Sequence, residues 1–169
     1  MKVAFLDRDG TINRDYPDEK WKEIDSPEFL TDSIKGLKRL KGLGYELIIV
    51  TNQYIINDGA ITYDQYNSFT EKLLYELDKE NVEILDVFYC RHSASEKCGC
   101  MKPERGMFDA AIMKYENIDV NGSLMIGDSE CDKIFAQNVS LRFLGISGGS
   151  LTNQDECYPS IHDAVNSLD

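Results

Sequence analysis

Val3-Ala4-Phe5-Leu6-Asp7-Arg8-Asp9-Gly10-Thr11 runs from a short apolar stretch straight into two carboxylates two residues apart. The apolar part is unbroken and too short for a helix, the pattern of a strand buried on both faces. Runs of the same kind recur at Leu47 to Val50, Ile84 to Tyr89, Leu124 to Ile126 and Leu141 to Ile146. Between them, apolar residues take helical spacing: Ile34, Leu37, Leu40 and Leu43; Tyr66, Phe69, Leu73, Leu74 and Leu77; Phe108, Ala111, Ile112 and Tyr115; and a last turn from Ile161 to Leu168. This alternation predicts an α/β fold, a doubly wound (Rossmann-like) parallel sheet with helices on both faces. Ligands of such sheets bind beyond the carboxyl ends of the strands. Asp7 follows the first strand, Thr51 the second, Cys90 the third and Asp128 the fourth, so four polar positions are expected along one edge.

At 169 residues the chain fits one domain, 1–169, with no internal repeat and no low-complexity segment. No apolar run approaches the roughly 18 residues that cross a bilayer. The opening Met1-Lys2-Val3-Ala4-Phe5-Leu6 meets Asp7 too early for a signal-peptide core, so a cytoplasmic monomer with no membrane partner is expected. The net charge is -12, and no Lys/Arg-rich stretch relieves it. That balance argues against nucleic acid, which needs a cationic surface to displace counterions. It also repels anionic substrates at long range, so a phosphate ester would need a divalent cation and local Lys or Arg.

A carboxylate at Asp7 can attack phosphorus and split one hard hydrolysis into two easier steps. A second one at Asp9 can protonate the leaving alcohol and then activate water. Gly10 permits the tight turn that aims both at one substrate. Alone, the segment also reads as a polar turn that ends a strand. The weight comes from four motifs in order: Asp7-Arg8-Asp9-Gly10-Thr11, Thr51-Asn52-Gln53, Lys102-Pro103 and Gly127-Asp128 through Asp132. Together they resemble the haloacid dehalogenase phosphatase superfamily.

The resemblance implies Asp7 as nucleophile, Asp9 as general acid/base, Thr51 as a donor to the phosphoryl group and Lys102 as its counter-charge. It further implies Mg²⁺ at Asp7, the Asp9 carbonyl and Asp128, with Asp132 in support. Arg8, Asn52 and Gln53 are assigned to substrate binding. A receiver-type signalling module uses similar groups, but its phosphorylated Asp follows the third strand, where this chain has Tyr89-Cys90-Arg91-His92.

Five cysteines are present, an odd number, and three lie beside His92. Cys90, His92, Cys98 and Cys100 make a Cys₃His set that can close a tetrahedral structural Zn²⁺ site. Zinc would stiffen loop 90–102 and so place Lys102. Cys131 and Cys157 read as inert thiols. The cysteine pattern narrows the resemblance to a capless, zinc-bearing branch that includes D-glycero-D-manno-heptose 1,7-bisphosphate phosphatases and the histidinol-phosphate phosphatase domain. The expected activity is Mg²⁺-dependent hydrolysis of a small sugar phosphate of the heptose type through an aspartyl-phosphate. Histidinol phosphate is the alternative substrate, and a non-catalytic sugar-phosphate-binding protein is the alternative of another class.

The branch carries Arg where this chain has Met101, and Met cannot grip an oxyanion bidentately. It also reads Ser-Gly where this chain has Tyr54-Ile55. Trp21 sits in the long stretch 13–31, where it packs the loop or faces substrate. His162 reads as a surface or helix-cap residue, and Gly148-Gly149-Ser150 as a flexible turn.

Overall fold

In β1 (Lys2–Leu6), Ala4 and Leu6 face one core while Val3 and Phe5 face another, and all four are fully buried. The same alternation sorts Leu47 and Ile49 from Ile48 and Val50 in β2 (Tyr45–Asn52). A strand that is apolar on both faces needs a helical layer on each side. On the first face lie α1 (Ser33–Gly42), α2 (Tyr63–Lys79) and α5 (Ile161–Asn166), contributing Leu37, Leu40, Leu73, Leu77, Ile161 and Val165. On the second lie α3 (Gly106–Lys114) and α4 (Glu130–Asn138), with Met107, Phe108, Ala111, Phe135 and Ala136.

The structure is a computed structural model and describes residues 1–151 and 157–168; the rest of the expected domain 1–169 lies outside the described residues. Its remaining strands are β3 (Asp86–Cys90), β4 (Leu124–Gly127), β5 (Arg142–Ile146) and β6 (Cys157–Tyr158). The six strands are parallel, in the order β3-β2-β1-β4-β5-β6. The doubly wound expectation is met. The order reverses at β1, which is flanked by β2 and β4, and that reversal opens the crevice where such sheets bind ligands.

Two elements escaped the sequence reading. One is β6, only two residues long, and the other is α4, whose start coincides with the acidic run after β4. A third apolar cluster of Trp21, Ile55, Ile61, Tyr66 and Phe69 ties the stretch after β1 to α2. His162 lies in the first turn of α5, beside Gly36 of α1, where an added Cβ would strike the α5 backbone. No helix among the described residues is long and apolar enough to cross a membrane.

Candidate active site

Asp7 is the first residue past β1, and its amide still donates to the Ile126 carbonyl of β4 at 2.9 Å. The chain then turns sharply. The Arg8 carbonyl accepts from the amides of Ile12 (2.9 Å) and Asn13 (3.2 Å), and Gly10 donates to the Asn13 carbonyl at 2.8 Å. Gly10 has φ +87°, and a Cβ there would run into the carboxylate of Asp128. Glycine is required on both counts. The tight turn brings the Asp7 motif against the end of β4.

Lys102 reaches into the same place from the far end of loop 90–102. Its Nζ donates to Asp7 Oδ1 at 2.7 Å and to Asp132 Oδ1 at 2.6 Å, with all three residues buried. Asp132 is held by the N-terminal cap of α4. Its Oδ2 accepts from the Ser129 hydroxyl at 2.6 Å, while its own amide donates to Ser129 Oγ at 3.2 Å. Asp128 directly follows β4, and Thr11 Oγ1 lies 3.4 Å from both Asp7 Oδ2 and Asp128 Oδ1.

Three carboxylates therefore share one ammonium. Burial pushes the Asp7 carboxyl well above its usual range; Lys102 opposes this, and the charges of Asp132 and Asp128 add to it. Asp128 is pushed up to about 6, by burial first and by Asp132 second. Burial pulls the Lys102 ammonium down, but Asp132 and Asp7 outweigh it and the net shift is upward. The ammonium stays charged, while burial and mutual repulsion hold Asp7 and Asp128 above the usual carboxylate range. Oxygen donors of Asp7, Asp128 and Asp132 lie within 4.8 Å of one another, a set that fits a hard cation such as Mg²⁺. Asp132 already gives an oxygen each to Lys102 and Ser129, which leaves Asp7 and Asp128 the freer donors.

These residues line a cavity of about 310 Å³ at the carboxyl ends of β1, β2 and β4, together with Asp9, Thr51, Asn52 and Gln53. Of the three residues expected to bind substrate, Asn52 and Gln53 line this cavity and Arg8 does not. Arg8 is absent from the cavity wall and only 1% exposed. Its Nε and Nη2 donate to Asp9 Oδ1 and Oδ2 at 2.9 and 2.7 Å. Asn52 clamps the Lys102 backbone, accepting from its amide at 2.8 Å and donating to its carbonyl at 3.0 Å. Gln53 directs its Nε2 to Asp9 Oδ2 at 2.8 Å and Thr51 Oγ1 at 3.0 Å. The donors of these three residues meet Asp9, Thr51 and the Lys102 backbone, and Asn52 and Gln53 still line the cavity.

The chain matches the family described as "Polynucleotide kinase 3 phosphatase" over residues 2–145. It belongs to this family. The fold of this phosphatase is like that of a HAD-like phosphatase from Mesorhizobium loti, with a TM-score of 0.79 at 21% identity, covering 99% of this chain and 87% of that one. The chain is 40% identical over 139 residues to a D-glycero-alpha-D-manno-heptose-1,7-bisphosphate 7-phosphatase of Photorhabdus laumondii, covering 78% of this chain and 74% of that one. It is 34% identical to the bifunctional histidine-biosynthesis protein HisB of Campylobacter jejuni, covering 90% of this chain but 43% of that one. A crystal structure of a D,D-heptose 1,7-bisphosphate phosphatase from B. bronchiseptica, complexed with magnesium and phosphate, superposes with a TM-score of 0.86. At 23% identity it covers 99% of this chain and 98% of that one, and the likeness supports the fold.

The phosphatase also gathers the four residues read as zinc ligands. Cys90 Sγ lies 3.0 Å from Cys100 Sγ, 3.4 Å from Cys98 Sγ and 3.5 Å from His92 Nδ1, and His92 Nδ1 lies 3.2 Å from Cys100 Sγ. All four donors fall within 4.8 Å of one another, the compact S₃N set that zinc prefers. Burial raises the Cys98 thiol, but the amides of Cys100 and Met101 outweigh it, and the thiol falls to about 7.

The sequence reading missed part of the wall. Asp15 and Asp18 line the cavity, and Tyr54, which replaces the branch's serine, donates its hydroxyl to Asp18 at 3.2 Å. Gly149 and Ser150, read as a flexible turn, also line it, with Gly149 packed so closely on Asp128 that a Cβ would collide. Cys131 lines it as well, its thiol pushed up to about 11 by burial. Only contact order in the fold, not local pattern, brings these residues to the site.

Proposed function

We propose that this phosphatase is a Mg²⁺-dependent phosphomonoester hydrolase of a small sugar phosphate of the D-glycero-D-manno-heptose 1,7-bisphosphate type. It works through an aspartyl-phosphate on Asp7. The observation that carries the chemistry is Lys102 Nζ held 2.7 Å from Asp7 and 2.6 Å from Asp132 on the cavity floor, beside Asp128. The names of the relatives at 36–40% identity support the heptose ester.

Asp7 attacks phosphorus in line with the ester oxygen; the Asp7 O–P bond forms as the P–O bond to the alcohol breaks. Asp9 gives its proton to the departing alcohol, then takes one from the water that cleaves the aspartyl-phosphate and frees inorganic phosphate. Lys102 offsets the anionic charge, and the Thr51 hydroxyl donates to the phosphoryl group. Mg²⁺ held by Asp7, Asp128 and the Asp9 carbonyl would neutralise phosphate charge, with Asp132 in support. Zn²⁺ on Cys90, His92, Cys98 and Cys100 would be structural, because four protein donors leave no open position. The chain acts as one domain, 1–169, with zinc loop 90–102, and as a cytoplasmic monomer whose partner is a small phosphate ester rather than nucleic acid or membrane.

One observation favours histidinol phosphate as a second reading. Among the described residues, Lys102 is the sole cation on the cavity wall and is already paired, whereas Asp15 and Asp18 face the opening. Such a rim suits an amine better than a second phosphate. In an assay containing Mg²⁺, Asp7→Asn is expected to lower kcat on the order of 10⁴-fold or more, as removal of a nucleophile does. Full activity in that variant would contradict the proposal and favour a binding protein.

A further inference from the structure

We infer that Asp18 is a specificity-determining residue: held in place by Tyr54, it accepts hydrogen bonds from donor groups on the leaving alcohol of the ester. The inference rests on this cavity being the phosphomonoester site, and it adds which alcohol the site takes. Asp18 opens the short helical turn Asp18–Glu23, and Tyr54 lies two residues past β2. Both line the cavity. The Tyr54 hydroxyl lies 3.2 Å from each Asp18 oxygen, so one phenol fixes the carboxylate by both of its oxygens. Burial first, and the Asp18 charge second, push the Tyr54 phenol above its ordinary range, which keeps it protonated and makes it the donor.

The hydrogen-bonding groups of the cavity wall do not balance. Its donors are largely taken. The Lys102 ammonium is shared by Asp7 and Asp132, Asn52 Nδ2 goes to the Lys102 carbonyl, and Gln53 Nε2 goes to Asp9 and Thr51. Its acceptors are in excess. A carboxylate offers about four lone-pair sites, of which a single hydroxyl fills a minority at Asp18. Asp15, on the same wall, takes the Tyr16 amide at 2.8 Å. Gln53 is 1% exposed, and its Oε1 is buried with no partner among the described residues. Trp21 and Ile55 add apolar surface beside these acceptors. A leaving alcohol that satisfies this wall brings N–H or O–H donors on a carbon skeleton. Two kinds of group do so, the hydroxyls of a polyol and an ammonium. A site built to accept from them discriminates against an alcohol that lacks them.

Three esters in the presence of Mg²⁺ test this: a six-carbon polyol phosphate, 6-aminohexyl phosphate, and n-hexyl phosphate, which has the carbon chain without either donor. Ratios of kcat/KM to that of hexyl phosphate cancel any change common to all three. Asp18→Ala is expected to cut the ratio for at least one donor-bearing ester about 10-fold, mostly through KM, the size of one hydrogen bond to a carboxylate. Asp18→Asn tells the two sources apart. It keeps a carbonyl acceptor and drops the charge, so a hydroxyl donor retains most of its preference, whereas an ammonium loses it as fully as in Asp18→Ala. Tyr54→Phe keeps the ring and releases the carboxylate. It is expected to lower the same ratio about 3-fold, with no further loss in an Asp18→Ala background, because the two act through one group. Asp18 is exposed, so its substitutions remove no buried packing. Ratios unchanged by Asp18→Ala for both donor-bearing esters would overturn the inference, and losses that multiply in the double variant would overturn the part given to Tyr54. Wild-type protein that releases phosphate from none of the three, nor from p-nitrophenyl phosphate, would overturn the phosphomonoester reading and the inference with it.

Discussion

Lys102 is 3% exposed and touches two carboxylates, with a third alongside. Removing it leaves buried negative charge with no cationic side chain beside it, which costs about 3–5 kcal/mol. Lys102→Ala is therefore expected to lower Tm by about 10 °C in a chain of this size, measured by differential scanning fluorimetry without divalent cation. Added Mg²⁺ is expected to recover part of that loss, because a cation that binds only the folded state stabilises it by mass action. An unchanged Tm would mean that the cluster is not charged as described. At this scale the gathering of Asp7, Thr51, Lys102 and Asp128 at one cavity was legible from sequence, since three of them stand at strand ends. Direction was not. Arg8, Asn52 and Gln53 stand next to Asp7, Asp9 and Thr51 in sequence, and their donors turn to Asp9, Thr51 and the Lys102 backbone. Which way a side chain turns depends on one bond's rotation, and spacing holds no record of it.

Loop 90–102 contains only one short helical turn, Ala94–Glu96, and ends at Lys102. Asn52 of β2 anchors that end from below, and the Cys90-His92-Cys98-Cys100 cluster gathers the rest from above. Removal of the metal is thus expected to cost the site its alignment. Chelator-treated protein, returned to excess Mg²⁺, is expected to show a lower Tm and a kcat reduced about 10-fold or more, both recovered with about one Zn²⁺ per chain. Full activity with no zinc and four reactive thiols would contradict the structural-metal reading. The cluster was legible because four residues of metal-ligand type crowd eleven positions. α4 was not visible: it spans nine residues, only Phe135 and Ala136 of them buried and apolar, and its cap doubles as the support for Lys102. A helix that short owes its place to the sheet beneath it more than to its own periodicity.

Across the whole molecule, a sheet whose order reverses at β1 collects residues 7, 51, 102 and 128 at one crevice, although they span most of the chain. That convergence follows from strand-helix alternation, which is why the fold class and the core of the site could both be read from sequence. The rim could not, because Asp15, Asp18 and Gly149 reach the cavity through irregular loops. The overall charge of -12 sets a field against anionic substrate. Raising ionic strength from about 0.01 to 0.15 M is expected to lower KM about twofold with little change in kcat, because salt screens that repulsion over a Debye length. A rise in KM would instead point to a cationic approach path.

The measurement that tests the central claim most directly is phosphate release from heptose 1,7-bisphosphate, histidinol phosphate, other sugar phosphates and a nucleotide, with and without Mg²⁺. The account expects Mg²⁺-dependent release with the heptose bisphosphate favoured about a hundredfold in kcat/KM, roughly 2.7 kcal/mol of transition-state discrimination. Folded, metal-replete protein that releases no phosphate from any of these esters would contradict it.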